Sequence, residues 1–146
     1  MYSKKHLIAL FLAIVCVIGC FSTPVAAANS SDPAVPYASS YFASYSVTCT
    51  GADTGLKVKF DVVCPRTMTT VGANSVTIQK LINGKWETQR TDTYIALDLR
   101  NSNSKICNRT LNYSYSSGTY RAIIVYYACD SNGSDTKSLT SSSYTF

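Results

Sequence analysis

From Tyr41 onward the chain alternates apolar and polar residues with a period of two, and this constrains the fold more than any other feature. The clearest run is LKVKFDVVC: Leu56, Val58, Phe60, Val62 and Cys64 share one face, and Lys57, Lys59 and Asp61 the other. Successive side chains of a β-strand point to opposite sides, so this run is a strand with one face in a core and one in water. YSVTC (Tyr45 to Cys49) reads as the strand before it, with TGADTG as the turn between them. SVTIQKLINGKWETQRTD reads as a hairpin with Asn83-Gly84 at its tip, the dipeptide that best fits a two-residue turn. YIALDL (Tyr94 to Leu99) is expected as a short strand and RNSNSK as a polar loop. RTLNYSY, TYRAIIVYYAC and KSLTSSSYTF follow as three more strands, the last a polar closing edge. No helical period appears after the first 28 residues.

About seven short strands at roughly 8–12-residue spacing predict a single antiparallel β-sandwich of immunoglobulin or fibronectin type III kind over residues 41–146. SGTYRAIIVYYACDSNG carries one further mark of that architecture. Tyr120 stands where a tyrosine corner would bond back to upstream backbone, whereas Ala122 occupies the position of the usual inter-sheet cysteine.

The first residues, MYSKKHLIALFLAIVCVIGCFSTPVAAANS, set the destination. Lys4 and Lys5, the apolar run from Leu7 to Phe21 and the small residues Ala26-Ala27-Ala28 form a secretory signal peptide over residues 1–28. The apolar run is shorter than the ~20 residues that span a bilayer, so no transmembrane span is expected in the mature form. Val17-Ile18-Gly19-Cys20 also resembles a lipobox, which makes a lipid anchor at Cys20 on the cell envelope the alternative to soluble secretion. Residues 29–40, rich in Pro and Ser, read as a flexible lead-in.

Cutting after Ala28 removes His6, the only histidine, together with Lys4 and Lys5. Of thirteen Lys/Arg, eleven then remain against eight Asp/Glu, a net +3, and they are scattered singly. No basic run tracks a phosphate backbone, so nucleic acid is not an expected partner. Ser-His and Cys-His nucleophiles need an imidazole base and are ruled out in the mature chain. Glu87 is the only glutamate and lies near a hairpin tip, so a paired-carboxylate hydrolase is not expected either. The reading is a protein without catalysis and without a cofactor.

Four cysteines survive the cut: Cys49, Cys64, Cys107 and Cys129. An even number in a small exported chain predicts two disulfides, with the pairing left open. Zinc is disfavoured by the absence of a Cys-x-x-Cys pair and of any mature histidine.

The mature chain resembles a group of short exported proteins of Gram-positive bacteria whose function is unknown. The resemblance rests on PYASSYFASYSV, LKVKFDV, MTTVGANSVTIQK, NGKWETQRT and SGTYRAIIVYYA and covers nearly all of residues 36–140. It implies an exported β-domain, carries over no functional residue, and leaves the four cysteines as an addition of this chain.

Two stretches invite a ligand. DSNGSD offers Asp130, Asn132 and Asp135 as weak calcium candidates, but its spacing departs from the EF-hand loop and an Asn-Gly turn accounts for it. With a two-residue Asn83-Gly84 loop, Leu81 faces Trp86 on the side opposite Val76, Ile78 and Ile82. Leu81 and Trp86 are then an exposed apolar pair flanked by Thr88 and Arg90, fit to touch a sugar or a protein, unless a bulge turns Trp86 inward. The expected role is an extracellular or cell-envelope binding module for an unknown protein or glycan ligand. The alternatives are a small cationic, bacteriocin-like effector and a spacer or matrix protein with no discrete site.

Overall fold

The computed structural model describes Val35, Pro36 and residues 39–146. The expected signal peptide, the lipobox-like stretch with Cys20 and most of the expected lead-in lie outside the described residues. The strands are β1 (Val35–Pro36), β2 (Ser44–Ala52), β3 (Gly55–Ile82), β4 (Lys85–Thr93), β5 (Arg100–Ser114), β6 (Thr119–Asp130), β7 (Gly133–Thr140) and β8 (Tyr144–Thr145). All their pairings are antiparallel. No helix occurs among the described residues.

One strand organises the rest. β3 runs for 28 residues, where the sequence suggests a short strand, a break and a hairpin arm. Along one side it pairs first with β2 (Gly55 to Val63) and then with β6 (Thr70 to Lys80). Along its other side it pairs first with β5 (Gly55 to Gly72) and then with β4 (Ser75 to Ile82). The expected two-sheet sandwich is therefore a single eight-stranded sheet threaded on β3. The sheet curls into a half-barrel that brings β2 and β6 against one another. Tyr45 of β2 meets Tyr126 of β6 with ring centroids 5.0 Å apart, and the Tyr126 hydroxyl donates to the Ser46 carbonyl at 2.6 Å.

The curl is possible because β3 breaks its own regularity. Cys64 to Thr67 stand opposite Lys105 alone, at the point where Pro65 has no N–H to give a ladder. A second irregularity leaves Asn74 without a partner on β6. Between them Gly72 sits at φ +154°, and a Cβ there would strike the Leu99 carbonyl oxygen. Bulges bend a strand and increase its twist, and two close together let one strand serve both walls.

The alternating run behaves as its pattern demands. Leu56, Val58, Phe60 and Val62 are fully buried, and Phe42, Val47, Val76, Ile78, Ile124 and Tyr126 complete the concave core. Each large apolar side chain taken from water contributes about 1.5–3 kcal/mol. The Tyr120 hydroxyl donates to the Ser116 carbonyl at 2.9 Å, the back-bond expected of a tyrosine corner.

Two expectations need correction. Tyr94 to Leu97 form a turn, closed by bonds from Ala96 N–H and Leu97 N–H to the Thr93 carbonyl, and not a strand. RNSNSK is instead the start of β5, pairing with Met68 to Gly72. Local β-propensity lost to tertiary pairing there. Leu99 is buried while Ile95 is 81% exposed.

The expected disulfides are also absent: Cys49, Cys64, Cys107 and Cys129 are all free thiols. Cys49 sits 3.1 Å from the Ser141 hydroxyl, and Cys107 lies opposite Val62 with its thiol against the Leu99 carbonyl. Burial pushes the Cys64 thiol up to about 11, and raises those of Cys49 and Cys107. Cys49, Cys64 and Cys107 behave as small core residues.

A cleft at the open seam between β4 and β5

The Asn83-Gly84 turn forms as the sequence requires, with both residues at positive φ (51° and 78°) as a type I′ turn needs. It pairs Ile82 with Lys85, Leu81 with Trp86 and Lys80 with Glu87. The ladder then slips. Thr88 pairs with Gln79 and Arg90 with Ile78, so Gln89 has no partner on β3. Because side chains alternate, this one extra residue sends Arg90 and Asp92 to the face opposite Trp86.

The bulge separates two groups that strict alternation would keep together. Trp86 and Leu81 remain on the convex face, where the Arg121 guanidinium lies 4.3 Å from the centre of the Trp86 ring. Trp86 is half-buried under that cation and Leu81 is 38% exposed. Thr88 stays with them; Arg90, expected as their neighbour, does not. Bulging does occur in this hairpin, beyond Trp86, and it re-aims Arg90 instead.

On the concave side β4 meets β5 across the seam of the half-barrel. Arg90 Nε donates to both Asp92 oxygens, at 2.7 and 3.0 Å. The Asp92 carboxylate is buried, and the Tyr113 hydroxyl donates to Oδ2 at 3.0 Å. Asp92 is thus an inward carboxylate with every oxygen engaged, as a buried charge requires. Its hydrogen bond and charge raise Arg90's pKa, and burial, followed by the Asp92 charge, raises that of the Tyr113 phenol.

Tyr113 begins a run of stacked rings. Its centroid lies 6.0 Å from Tyr115, Tyr115 lies 5.2 Å from Tyr120, and Tyr120 lies 5.4 Å from Phe146. Arg90 covers Tyr113 at 5.8 Å and Lys80 covers Tyr120 at 5.2 Å. Beside this stack is an open cleft of about 510 Å³, lined by Gln89, Arg90, Asn112, Tyr113, Ser114 and Tyr115. Sites that take small ligands typically measure ≈ 300–1,000 Å³. The cleft presents hydrogen-bond donors and acceptors on a rigid wall.

The sequence does not single out Asp92, Tyr113 or Tyr115, and Arg90 is expected only as a flank of the Leu81 and Trp86 pair. The one signal it holds is the opposite-charge pair Arg90 and Asp92 at i, i+2, in a strand otherwise fit for solvent. A charged pair on one face of a strand is normally an exposed cross-link, and the bulge at Gln89 is what turns this one inward.

The calcium candidates are placed as a tight turn between β6 and β7, where Asp130 pairs with Gly133. The Asp130 carboxylate is taken by Arg66 at 2.6 and 3.0 Å, by the Asn132 N–H and by the Tyr41 hydroxyl. The Arg66 hydrogen bonds hold it below the usual carboxylate range. Asp135 is bound to the Ser39 hydroxyl and to Lys137. These ties fasten residues 39–41 to the turn. Among the described residues no cluster of His, Cys, Asp or Glu could hold a metal ion.

No family model matches the chain, and no curated protein or solved structure matches it.

Proposed function

We propose that the protein is an exported, non-catalytic binding module of the extracellular space or cell envelope, and that its ligand sits in the cleft between β4 and β5. The supporting observation is the fixed Arg90–Asp92–Tyr113 cluster at the edge of a cleft whose other polar side chains are unpaired with one another. A wall fixed before the ligand arrives loses little freedom on binding, which favours affinity. The signal peptide and the resemblance to short exported proteins support the location. The Tyr120 back-bond is a local feature that immunoglobulin-like exported modules also use.

The test is retention of the purified protein on insoluble cell-envelope material from bacteria. Wild-type protein should be retained, and Arg90→Gln and Asn112→Ala should be lost to the supernatant while remaining folded by circular dichroism. Retention unaffected by either substitution contradicts the site. Growth arrest of added bacteria would favour the small cationic effector instead.

A further inference from the structure

We propose that the β4–β5 cleft is a subsite for neutral sugar rings, which makes the ligand of the module an uncharged glycan; this deepens the reading above and rests on it. Charge decides between ligand classes first. Arg90 is the only ionised side chain among the six that line the cleft, and Asp92 neutralises it from behind. An anionic ligand would meet the Asp92 field along with the guanidinium, and a cationic ligand would meet Arg90 itself. Neither finds a net opposite charge.

Hydrogen bonding decides next. Arg90 spends Nε on Asp92, and its two terminal nitrogens make no hydrogen bond to the described residues. With its side chain 55% exposed and its Nε held by both carboxylate oxygens, the guanidinium is a fixed fork aimed outward. Gln89 donates through Nε2 to the Glu87 carbonyl at 3.3 Å, which leaves its amide oxygen as an acceptor. Asn112 and Ser114, on the outward face of β5 with Lys57, make no side-chain hydrogen bonds to the described residues and can both donate and accept. Adjacent sugar hydroxyls also donate and accept, so they can satisfy the fork, the amides and the serine together.

The rings set the mode of contact. Both faces of Tyr115 are covered, by Tyr113 and by Tyr120, so a ligand meets ring edges and hydroxyls and not an open stacking face. The Tyr115 hydroxyl is buried without a hydrogen-bond partner among the described residues. Such a group is costly to leave unpaired, and a sugar hydroxyl entering the cleft is of the kind that would pair with it. A peptide strand would instead use strand-edge backbone and leave the side-chain donors unpaired.

Isothermal titration of the mature protein tests this with cello-, laminari-, manno- and chitohexaose, alongside hexagalacturonate and tri-alanine as charged and peptide probes. At least one neutral hexasaccharide should bind saturably and at least tenfold more tightly than hexagalacturonate. Asn112→Ala, an exposed substitution, should weaken that binding about tenfold, and Trp86→Ala should leave it unchanged. No binding in the neutral panel, or tighter binding of hexagalacturonate or tri-alanine lost in Asn112→Ala, overturns the glycan inference while the binding-module reading stands. Sugar binding unchanged in both Asn112→Ala and Arg90→Gln overturns the cleft as the site, while the reading of the protein as a binding module stands.

Discussion

Among the described residues three hairpins have two-residue loops, and two of them, β2–β3 and β3–β4, differ in one residue. The first pairs Ser44 with Val63 through to Ala52 with Gly55 in nine uninterrupted steps. Its inward residues are apolar and its outward ones include Lys57 and Lys59. The second slips at Gln89 and carries a buried carboxylate, a guanidinium and one wall of the cleft. Regular pairing builds the core, and a single irregularity re-aims charged side chains into a seam that regular pairing would leave to apolar ones.

Deleting one residue from each hairpin breaks the comparison most sharply. Removal of Thr48 leaves the turn intact and flips Tyr45 and Val47, both buried, toward water. The expected cost is on the order of 5 kcal/mol or more, comparable with the whole stability of a domain this size. Thermal melts followed by near-ultraviolet circular dichroism should show no cooperative transition. A melt close to wild type would show that register in β2–β3 is not fixed by the core.

Tyr113→Phe tests the second hairpin's buried acid. Loss of a hydrogen bond to a charged acceptor should cost about 1.5–3 kcal/mol in urea denaturation. The same site has an alkaline signature. The folded phenol ionises above its ordinary value, so its stabilising effect is present below pH ~10 and fades as the pH rises through the folded pKa. Absorbance at 295 nm should show several late-titrating tyrosines, Tyr126 and Tyr115 among them, and one fewer in Tyr113→Phe. A full set of ordinary tyrosines in the wild type would place Tyr113 in water.

Deleting Gln89 should be the mildest change to stability, within about 1 kcal/mol, because Arg90 then follows Thr88 in a regular ladder with every face kept. Binding should fall nonetheless, since a lining amide and the local kink are lost. Unaltered binding would mean that the bulge shapes nothing the ligand uses.

How much of this the sequence disclosed follows the same division. The faces of Leu56 to Cys64, the Asn83-Gly84 turn with its register and the Tyr120 back-bond are legible because each depends on neighbours within a few residues. The continuity of β3 through Pro65 to Thr70 is not, because Pro65 to Thr67 stand in a bulge with no ladder partner, and Met68 and Thr70 are held by pairing with β5 and β6, far away in sequence. Tyr94 to Leu99 carry strand-like side chains, yet Arg100 sits between the rings of Tyr94 and Tyr127, 3.4 and 4.3 Å from their centres, and the segment turns there. The cleft stayed hidden because alternation alone assigns Arg90 to the face of Trp86. Nothing in WETQRTD marks Gln89 as the extra residue.

The claim that the bulge places the binding surface on the concave seam has one direct measurement. Nitrogen-15 correlation spectra of the mature protein, recorded with increasing amounts of each neutral hexasaccharide, map which amides and side-chain N–H groups move. With the sugar that binds, the amides of Gln89, Arg90 and Asn112 to Tyr115 should shift together, and the Trp86 indole N–H should stay still. Movement of the Trp86 indole and Arg121 with a silent seam would contradict it and return the site to the convex face.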